Sequence, residues 1–240
     1  MAATIAVLLL LLMLALMVAA PLGFRLGLWS ATTALTKLVG GGLVAGLAAA
    51  LAALFELLTR GAELGGGERA VLAAIVLIGA VAVLLPLRAK RIAAAAPIRD
   101  ITSDPGDPPA FIALRAARER DGAHVAYEGE RVASIQRQRY GDIGPWYLAQ
   151  SADRAFATAL AAAKDMGWTI AAADAAGARI EASDRTRLFG FIDDVAVRLK
   201  PEGQGSRVDI RSASRVGVSD LGKNAQRIRA YFAALKAHQG

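Results

Sequence analysis

The chain has 240 residues, 55% of them hydrophobic, and its 28 Lys/Arg against 21 Asp/Glu give a formal net charge of +7. It contains no cysteine, which excludes disulfides, thiolate metal sites and cysteine nucleophiles. The positive excess is spread along the chain and forms no basic stripe, so we expect no nucleic-acid partner and a mild attraction to anionic lipid headgroups.

Three long uncharged stretches lie at residues 1–24, 38–55 and 70–87. A helix needs about 20 mostly apolar residues to cross a bilayer, so each stretch predicts a membrane-spanning helix. We expect a transmembrane domain over residues 1–91, with helices at about 3–24, 36–57 and 69–88. The alternative for the first stretch is a cleavable signal peptide, but its n-region, Met-Ala-Ala-Thr, contains no Lys or Arg, and its apolar run is long for such a peptide.

The second stretch contains a pair of glycines spaced by four, Gly42 and Gly46. Small residues at this spacing let two helix backbones approach closely. Two interpretations stay open. The pair packs against neighbouring spans of the same chain, or it forms the contact of a homo-oligomer.

Basic residues are distributed unevenly between the two sides of the predicted membrane domain. One side, shared by the first loop and the C-terminal part, carries Arg25, Lys37, Arg88, Lys90, Arg91 and Arg99, and the other carries Arg60 and Arg69. By the positive-inside rule this bias favours a cytoplasmic C-terminal domain on a multi-pass protein of the inner membrane.

Residues 92–110 contain four prolines and are predicted to form an extended tether. Asp100, Asp104 and Asp107 fall in this segment. A cation site is one interpretation, but Asp next to Pro or Gly is more typical of a local turn, and the spacing lacks the regular ligand ladder of a calcium loop.

Residues 111–240 are predicted to form a soluble α+β domain. A helix starting at Asp153 and a second near Ser219 flank four strand-like runs, at residues 168–172, 178–183, 189–200 and 206–214. Short turns between the strands imply an antiparallel sheet covered by two helices on one face. Before it, residues 111–119 are predicted helical, residues 125–127 and 135–140 extended, and residues 145–147 docked on the main body.

Alternation along these strands separates an apolar from a charged face of the sheet. The apolar set, predicted to face the helices, is Ile180, Ala182, Val195, Val197, Leu199, Val208 and Ile210. The charged set is Arg179, Glu181, Asp194, Arg198, Arg207, Asp209 and Arg211. The second face is therefore a mixed array of positive and negative side chains.

Three blocks resemble the domain of unknown function 1499 family. They are Asp100-Ile101-Thr102 through Asp107-Pro108-Pro109-Ala110-Phe111, Ile180-Glu181-Ala182 with Phe189-Gly190-Phe191-Ile192-Asp193-Asp194-Val195, and the run from Arg207 to Gly222. The resemblance covers about residues 98–237, and the three spans are similar to one bacterial architecture of the family. Relatives that look exported or lipid-anchored imply an extracytoplasmic domain, against the charge count. The resemblance implies no established activity.

The strand-to-helix segment 211–224 is the candidate ligand site. A strand that feeds a helix through glycines presents backbone N–H groups to an anion, and arginines add paired hydrogen bonds. We expect an anionic ligand or lipid headgroup to bind Arg211, Ser214, Arg215 and Asn224, with Asp194 and Arg198 nearby. The structural alternative is that Ser219 caps the helix and Asp220 pairs with Arg215.

Acid–base chemistry has a second set of candidates, Glu181 and Asp193 or Asp194. Two flanking carboxylates serve glycoside-type hydrolysis, which makes an envelope hydrolase the alternative function. Cross-strand ion pairs are the structural interpretation of the same residues. His124 and His238 are too isolated to predict a metal centre or a catalytic triad, so no metal and no cofactor is expected.

Together these features predict a membrane-anchored interaction or ligand-binding protein that is not an enzyme. Its expected partners are the lipid bilayer itself and either an anionic lipid headgroup or an envelope protein.

Overall fold

The computed structural model describes residues 1–239, which form two compact units. The first unit comprises Met1–Arg91 with the short stretch Arg187–Gly190. The second unit comprises the other described residues.

The first unit contains three long apolar helices, as predicted. They are α1 (Ala2–Arg25), α2 (Gly40–Arg60), which a π-helical stretch Thr33–Val39 precedes without a break, and α3 (Gly66–Ala95). All three are long and apolar enough to cross a membrane. Only 17% to 33% of the most apolar 18-residue part of each helix is buried. Most of this apolar surface therefore faces outward, as expected for helices solvated by lipid.

Glycines hold the helices of the first unit close together. A Cβ atom added at Gly42 would lie 2.8 Å from the Met17 side chain of α1, and one at Gly46 would overlap Met13. A Cβ at Gly79 would lie 2.7 Å from the carbonyl oxygen of Gly46. Gly42 and Gly46 therefore pack within the chain, and the homo-oligomer contact stays a prediction.

The second unit is an antiparallel six-stranded sheet with four helices. Strands β3 (Thr169–Asp174), β4 (Arg179–Arg185), β5 (Ile192–Glu202) and β6 (Gly205–Ser214) follow one another along the chain. The other elements are β1 (Asp100–Thr102), α4 (Arg115–Arg120), α5 (Glu130–Arg139), β2 (Trp146–Leu148), α6 (Ala152–Asp165) and α7 (Lys223–Ala237). The sheet order is β1-β6-β5-β4-β3, and β2 also pairs with β6.

The apolar core lies between one face of the sheet and helices α6 and α7, as alternation predicts. The seven apolar strand residues named above are all buried in it. Trp168 stacks on Tyr231 at 5.1 Å, and the Tyr231 hydroxyl donates to the carbonyl of Ala159 at 2.9 Å, which joins α7 to α6. Trp146 stacks on Phe232, so the expected docking of residues 145–147 is seen as strand β2.

The segment predicted as a tether is built into the second unit. Helix α3 continues to Ala95, and β1 pairs with β6 so that Asp100 lies opposite Ala213. Ile98 and Ile101 are buried in the core. The prolines keep the segment extended. The two buried isoleucines and the pairing of β1 with the edge of β6 fix it in place.

Two further local predictions were wrong. Residues 135–140, expected to be extended, lie in or directly after α5. Helix α7 starts at Lys223, four residues later than predicted, because Gly222 takes a left-handed conformation with φ of 83°. Asp220, not Ser219, caps it by accepting from the backbone N–H of Asn224 at 2.6 Å.

The charged face of the sheet is covered, which the strand pattern did not predict. Residues 103–128, which we call the cover segment and which include α4, lie over it. Phe111 and Leu114 of this segment pack against Ala196 and Ala213 of the sheet. Glu181, Asp194 and Asp209 are consequently 0% exposed.

Candidate functional site

Asp194 is the centre of a buried ion-pair cluster. Its carboxylate accepts from Arg118 Nη1 at 2.7 Å and from Arg215 Nε and Nη2, both at 2.8 Å. The Ser183 hydroxyl donates a further bond at 2.7 Å. Arg118 is 1% exposed and also binds the carbonyl of Ala213, so the cluster ties the cover segment to the sheet.

The electrostatics of this cluster favour its charged form. Burial opposes ionisation of Asp194, but hydrogen bonds from Arg215 and Ser183 outweigh it and lower the pKa of the carboxyl. Hydrogen bonding to Asp194 raises the pKa of Arg215. Burial lowers the pKa of Arg118, and the charge and hydrogen bond of Asp194 oppose this shift.

Arg211 forms a second buried pair on the same face. Its Nε and Nη2 atoms bind the Asp100 carboxylate at 2.9 and 2.7 Å. Two guanidinium groups lie over the Phe111 ring. The distance to the ring centroid is 4.6 Å for Arg211 and 4.4 Å for Arg118. Cation–π contacts of this kind are strongest where water is excluded, as it is here.

Glu181 binds the start of the helical part of the cover segment. Its two oxygens accept backbone N–H groups of Ile112, Ala113 and Leu114, each at 3.0 Å. These are groups that precede α4 and have no intrahelical partner of their own. Glu181 therefore supplies from β4 the cap that the sequence around α4 lacks.

Asn224 and Ser214 belong to a third polar group at the start of α7. Asn224 Nδ2 donates to Ser214 Oγ at 3.1 Å and to the carbonyl of Arg99 at 2.9 Å, and its Oδ1 accepts from Ser212. Asp193 pairs with Arg227 Nη2 at 2.6 Å.

Arg198 does not join these groups. It pairs with Asp209 at 2.8 Å and with Asp104 at 3.2 Å. Because it lies four residues beyond Asp194 on β5, the two Cα atoms are about 13 Å apart.

The predicted site residues other than Arg198 therefore lie close together, on β5, on β6 and the residue after it, and on α7, but their charged groups point inward. Arg211 and Arg215 have buried carboxylate partners, and the anticipated Arg215–Asp220 pair is absent among residues 1–239. The carboxylates proposed for hydrolysis, Glu181, Asp193 and Asp194, are each bound by N–H groups of the protein itself. These contacts describe a structural network.

A cavity of about 340 Å³ opens beside this network. Its lining comes from the chain before β1, from the region between α4 and α5 with the first turn of α5, and from the loop before α7. The residues are Pro97, Ile98, Arg99, His124, Glu128, Arg131, Gly217 and Val218. We call it the Arg99 cavity. Two of its residues, Gly217 and Val218, belong to the predicted segment 211–224.

The walls of the Arg99 cavity are held by the buried arginines. Arg118 donates from Nε and Nη2 to the carbonyl of His124, at 3.0 and 2.8 Å. Arg99 Nη1 donates to the carbonyl of Arg215 at 3.2 Å. The cluster around Asp194 thus fixes two sides of the cavity.

The charge balance of the Arg99 cavity is positive. Arg131 pairs with Glu128, whereas Arg99 has no carboxylate partner within residues 1–239. A partly buried guanidinium with free N–H groups favours a phosphate or carboxylate ligand. Among the same residues no group of three His, Asp or Glu side chains is placed to hold a metal ion.

A family model described as "Protein of unknown function (DUF1499)" matches residues 100–235. The chain belongs to the DUF1499 family. No curated protein matches it. The matched region begins at β1, contains the whole sheet and ends within α7. It includes the residues that line the cavity, except Pro97, Ile98 and Arg99.

The cavity of this DUF1499 protein was missed from the sequence for a physical reason. Its residues come from three places far apart in the chain, and His124 and Arg131 lie where no regular pattern was found. The one available signal was Arg99, a cation between the third span and the first family block.

Proposed function

We propose that this DUF1499 protein is a membrane-anchored, non-enzymatic module whose Arg99 cavity binds the phosphate of an anionic lipid headgroup. The observation that carries the proposal is an arginine without a carboxylate partner in an open cavity, four residues beyond the end of α3. The three apolar helices of the same chain supply the membrane anchor.

The size and chemistry of the cavity support a small anion. Its volume of about 340 Å³ falls at the lower end of the range for small-molecule sites. Arg99 and Arg131 offer guanidinium groups, and charge-assisted hydrogen bonds to phosphate are about twice as strong as neutral ones. Glu128 holds Arg131 by an ion pair that a phosphate would have to share.

Basic residues around the end of α3 add a longer-range attraction. Arg88, Lys90 and Arg91 lie in its last turns, and Arg139 donates to the carbonyl of Ala95 at 3.0 Å. Each Lys or Arg near an anionic leaflet contributes roughly 1 kcal/mol. The group favours an anionic surface over a zwitterionic one.

The membrane itself is also part of the proposal. We infer an inner membrane of a bacterial cell, from the three apolar helices and the architecture that the sequence resembles. The charge count favours a cytoplasmic second unit, and the family resemblance favours the opposite side. Binding of a headgroup phosphate requires only that the cavity faces a leaflet with anionic lipid.

The test measures lipid selectivity of the full chain. Native mass spectrometry of protein released from mixed phosphatidylglycerol and phosphatidylcholine micelles gives the ratio of the two bound lipids. Both lipids carry a phosphate, but only phosphatidylglycerol has a net negative charge. Changing Arg99→Gln with Arg131→Gln removes two cations, each contributing roughly 1 kcal/mol toward an anionic lipid, so this ratio is expected to fall about tenfold.

The matched control is Arg115→Gln with Arg120→Gln, which makes the same charge change on exposed parts of α4. The control ratio should stay within about twofold of the wild-type ratio, since exposed charges contribute little. An unchanged ratio in the cavity variant, or equal losses in both variants, would refute the headgroup site.

A further inference from the structure

The loop that precedes α7 presents two apolar side chains to the outside. Val218 is 79% exposed and Leu221 is 44% exposed, within the five residues 217–221, which we call the tip loop. Single exposed apolar residues are ordinary, but two on one short loop beside a cationic cavity form a local apolar surface. We propose that the tip loop inserts into the headgroup region of the bilayer that anchors the same chain.

The tip loop is held in a fixed shape. Leu221 adopts a positive φ of 55°, a conformation that side-chain-bearing residues rarely take. The Ser219 hydroxyl accepts from the N–H of Leu221 at 3.3 Å, and Asp220 Oδ1 accepts from the N–H of Gly222 at 2.9 Å. The loop therefore presents its apolar side chains without needing to reorganise, which reduces the ordering cost of insertion.

Two hydrogen bonds place the tip loop where the chain leaves the third apolar helix. The Ser219 hydroxyl donates to the carbonyl of Ala96 at 2.8 Å, and the N–H of Asp220 donates to the carbonyl of Ile98 at 3.3 Å. Ala96 directly follows α3, and Ile98 is three residues beyond its last residue, Ala95. At 3.8 Å between successive Cα atoms, Ile98 lies at most about 11 Å from that helix end.

The chemistry of the loop and the cavity together selects a bilayer lipid over a free anion. Val218 lines the same cavity as Arg99, so an apolar wall and a guanidinium meet at one site. A glycerophospholipid also joins a phosphate to an apolar body, whereas a free phosphate gains nothing from Val218. Amphipathic surfaces with basic residues at their polar side are typical of binding at the membrane interface.

This inference rests on the proposed function for the identity of the ligand, and it adds the depth of the site. The Arg99 cavity and the tip loop would then lie together at the level of the lipid phosphates, because the end of α3 lies seven residues, about 10 Å of helix, beyond the predicted end of the third span at residue 88. A lipid would reach the cavity by lateral movement within its leaflet.

Because the chain has no cysteine, a single introduced cysteine reports one position. The experiment labels Val218→Cys and, separately, Leu221→Cys with an environment-sensitive fluorophore in the full chain. The protein is placed one copy per nanodisc, in bilayers of phosphatidylcholine and phosphatidylglycerol with bromine atoms on the upper acyl carbons. The control is Ala176→Cys, on the exposed turn between β3 and β4.

We expect several-fold stronger quenching by brominated lipid at positions 218 and 221 than at position 176. Equal, weak quenching at all three positions would refute insertion. Shielding of the label at position 218 only in discs that hold two copies would refute it as well, because the second copy would then cover the loop. Near-wild-type circular dichroism of each labelled variant confirms that the comparison is made on folded protein.

A second variant separates this inference from the proposed function. Val218→Ser with Leu221→Asn removes the apolar side chains without adding charge to the cavity, so it should abolish insertion and lower the bound phosphatidylglycerol ratio as far as the Arg99→Gln, Arg131→Gln pair does. If that ratio is unchanged and inorganic phosphate competes with the lipid, the cavity binds a free anion and insertion is wrong. If quenching persists while the arginine changes have no effect, the tip loop inserts but the cavity is not the headgroup site.

Discussion

Asp194 accepts buried hydrogen bonds from two arginine side chains and a further bond from a serine hydroxyl. Arg118 comes from the cover segment, Arg215 from the residue after β6, and Ser183 from β4. Removing one partner of such a cluster leaves opposite charges buried without compensation. The two arginines also hold the walls of the Arg99 cavity, so the residue connects stability with the proposed site.

We predict that Asp194→Asn destabilises the second unit by about 3–5 kcal/mol, the cost of leaving buried arginines unpaired. The measurement is urea unfolding of the full chain in detergent micelles, followed by the fluorescence of Trp146 and Trp168, which pack in the second unit. The control Asp142→Asn breaks an exposed pair with Arg229 and should cost at most about 1 kcal/mol.

The pH dependence gives the same prediction a second readout. A carboxyl whose pKa is lowered by folding stabilises the protein above its unfolded pKa of about 3.9, and this stabilisation is lost as the pH falls through the lower folded value. The difference between wild type and Asp194→Asn should therefore be constant near neutral pH and shrink below about pH 4. A difference that grows on acidification would contradict the assignment.

At the scale of elements, the cover segment depends on contacts made by distant strands. Helix α4 has six residues and no side-chain cap of its own. A helix of that length is marginal in isolation because its nucleation is unfavourable. Glu181 from β4 and Phe111 between two guanidiniums supply the missing stabilisation.

We predict that Glu181→Gln loosens the cover segment while the rest of the sheet is preserved. An amide side chain has one acceptor oxygen where the carboxylate has two, and it loses the charge that strengthens these bonds. Backbone amides of residues 112–120 should exchange hydrogen roughly tenfold faster, in line with 1–3 kcal/mol per buried group left unsatisfied.

The control is Glu119→Gln, on the exposed side of α4 with its partner Arg115. Its exchange rates should match those of the wild type. Uniform acceleration across β5 and β6 in Glu181→Gln would instead mean that the whole unit had been destabilised, and the capping role would be rejected.

The same elements show which features of the fold can be predicted from the sequence. Alternation along β5 and β6 identifies the apolar face because Val195 and Val197, like Val208 and Ile210, are two residues apart in their strand. It cannot report that the charged face is covered, since that depends on Phe111 and Leu114 meeting alanines about 85 to 100 residues away. Strand β1 was missed for a similar reason, because three residues among prolines become a strand only against β6.

The candidate site followed the same rule. The segment 211–224 was rightly seen as rich in polar groups, but whether Arg211 and Arg215 face a ligand depends on carboxylates elsewhere in the chain. Asp100 and Asp194 neutralise them. Arg99, which lacks such a partner within residues 1–239, could be recognised only once the loop before α7 was placed beside it.

At the scale of the whole molecule, the distribution of basic residues predicts on which side of a membrane the second unit lies. An odd number of spans puts the loop after α1 and the second unit on the same side. Six basic residues near the membrane lie on that side, and Arg60 and Arg69 lie on the other. Each basic residue resists transfer across the membrane, so the larger group is expected to stay in the cytoplasm.

We predict from this asymmetry that Gln204→Cys, on the exposed turn between β5 and β6, is labelled by an impermeant maleimide only from the cytoplasmic face. Ala62→Cys, between α2 and α3, should be labelled only from the opposite face, and the cysteine-free parent gives the background. Intact spheroplasts and inverted vesicles expose the two faces separately. Labelling of Gln204→Cys in spheroplasts would contradict this orientation and would put the Arg99 cavity on the outer side of the membrane. The selectivity assay should then use the anionic lipids of the outer leaflet.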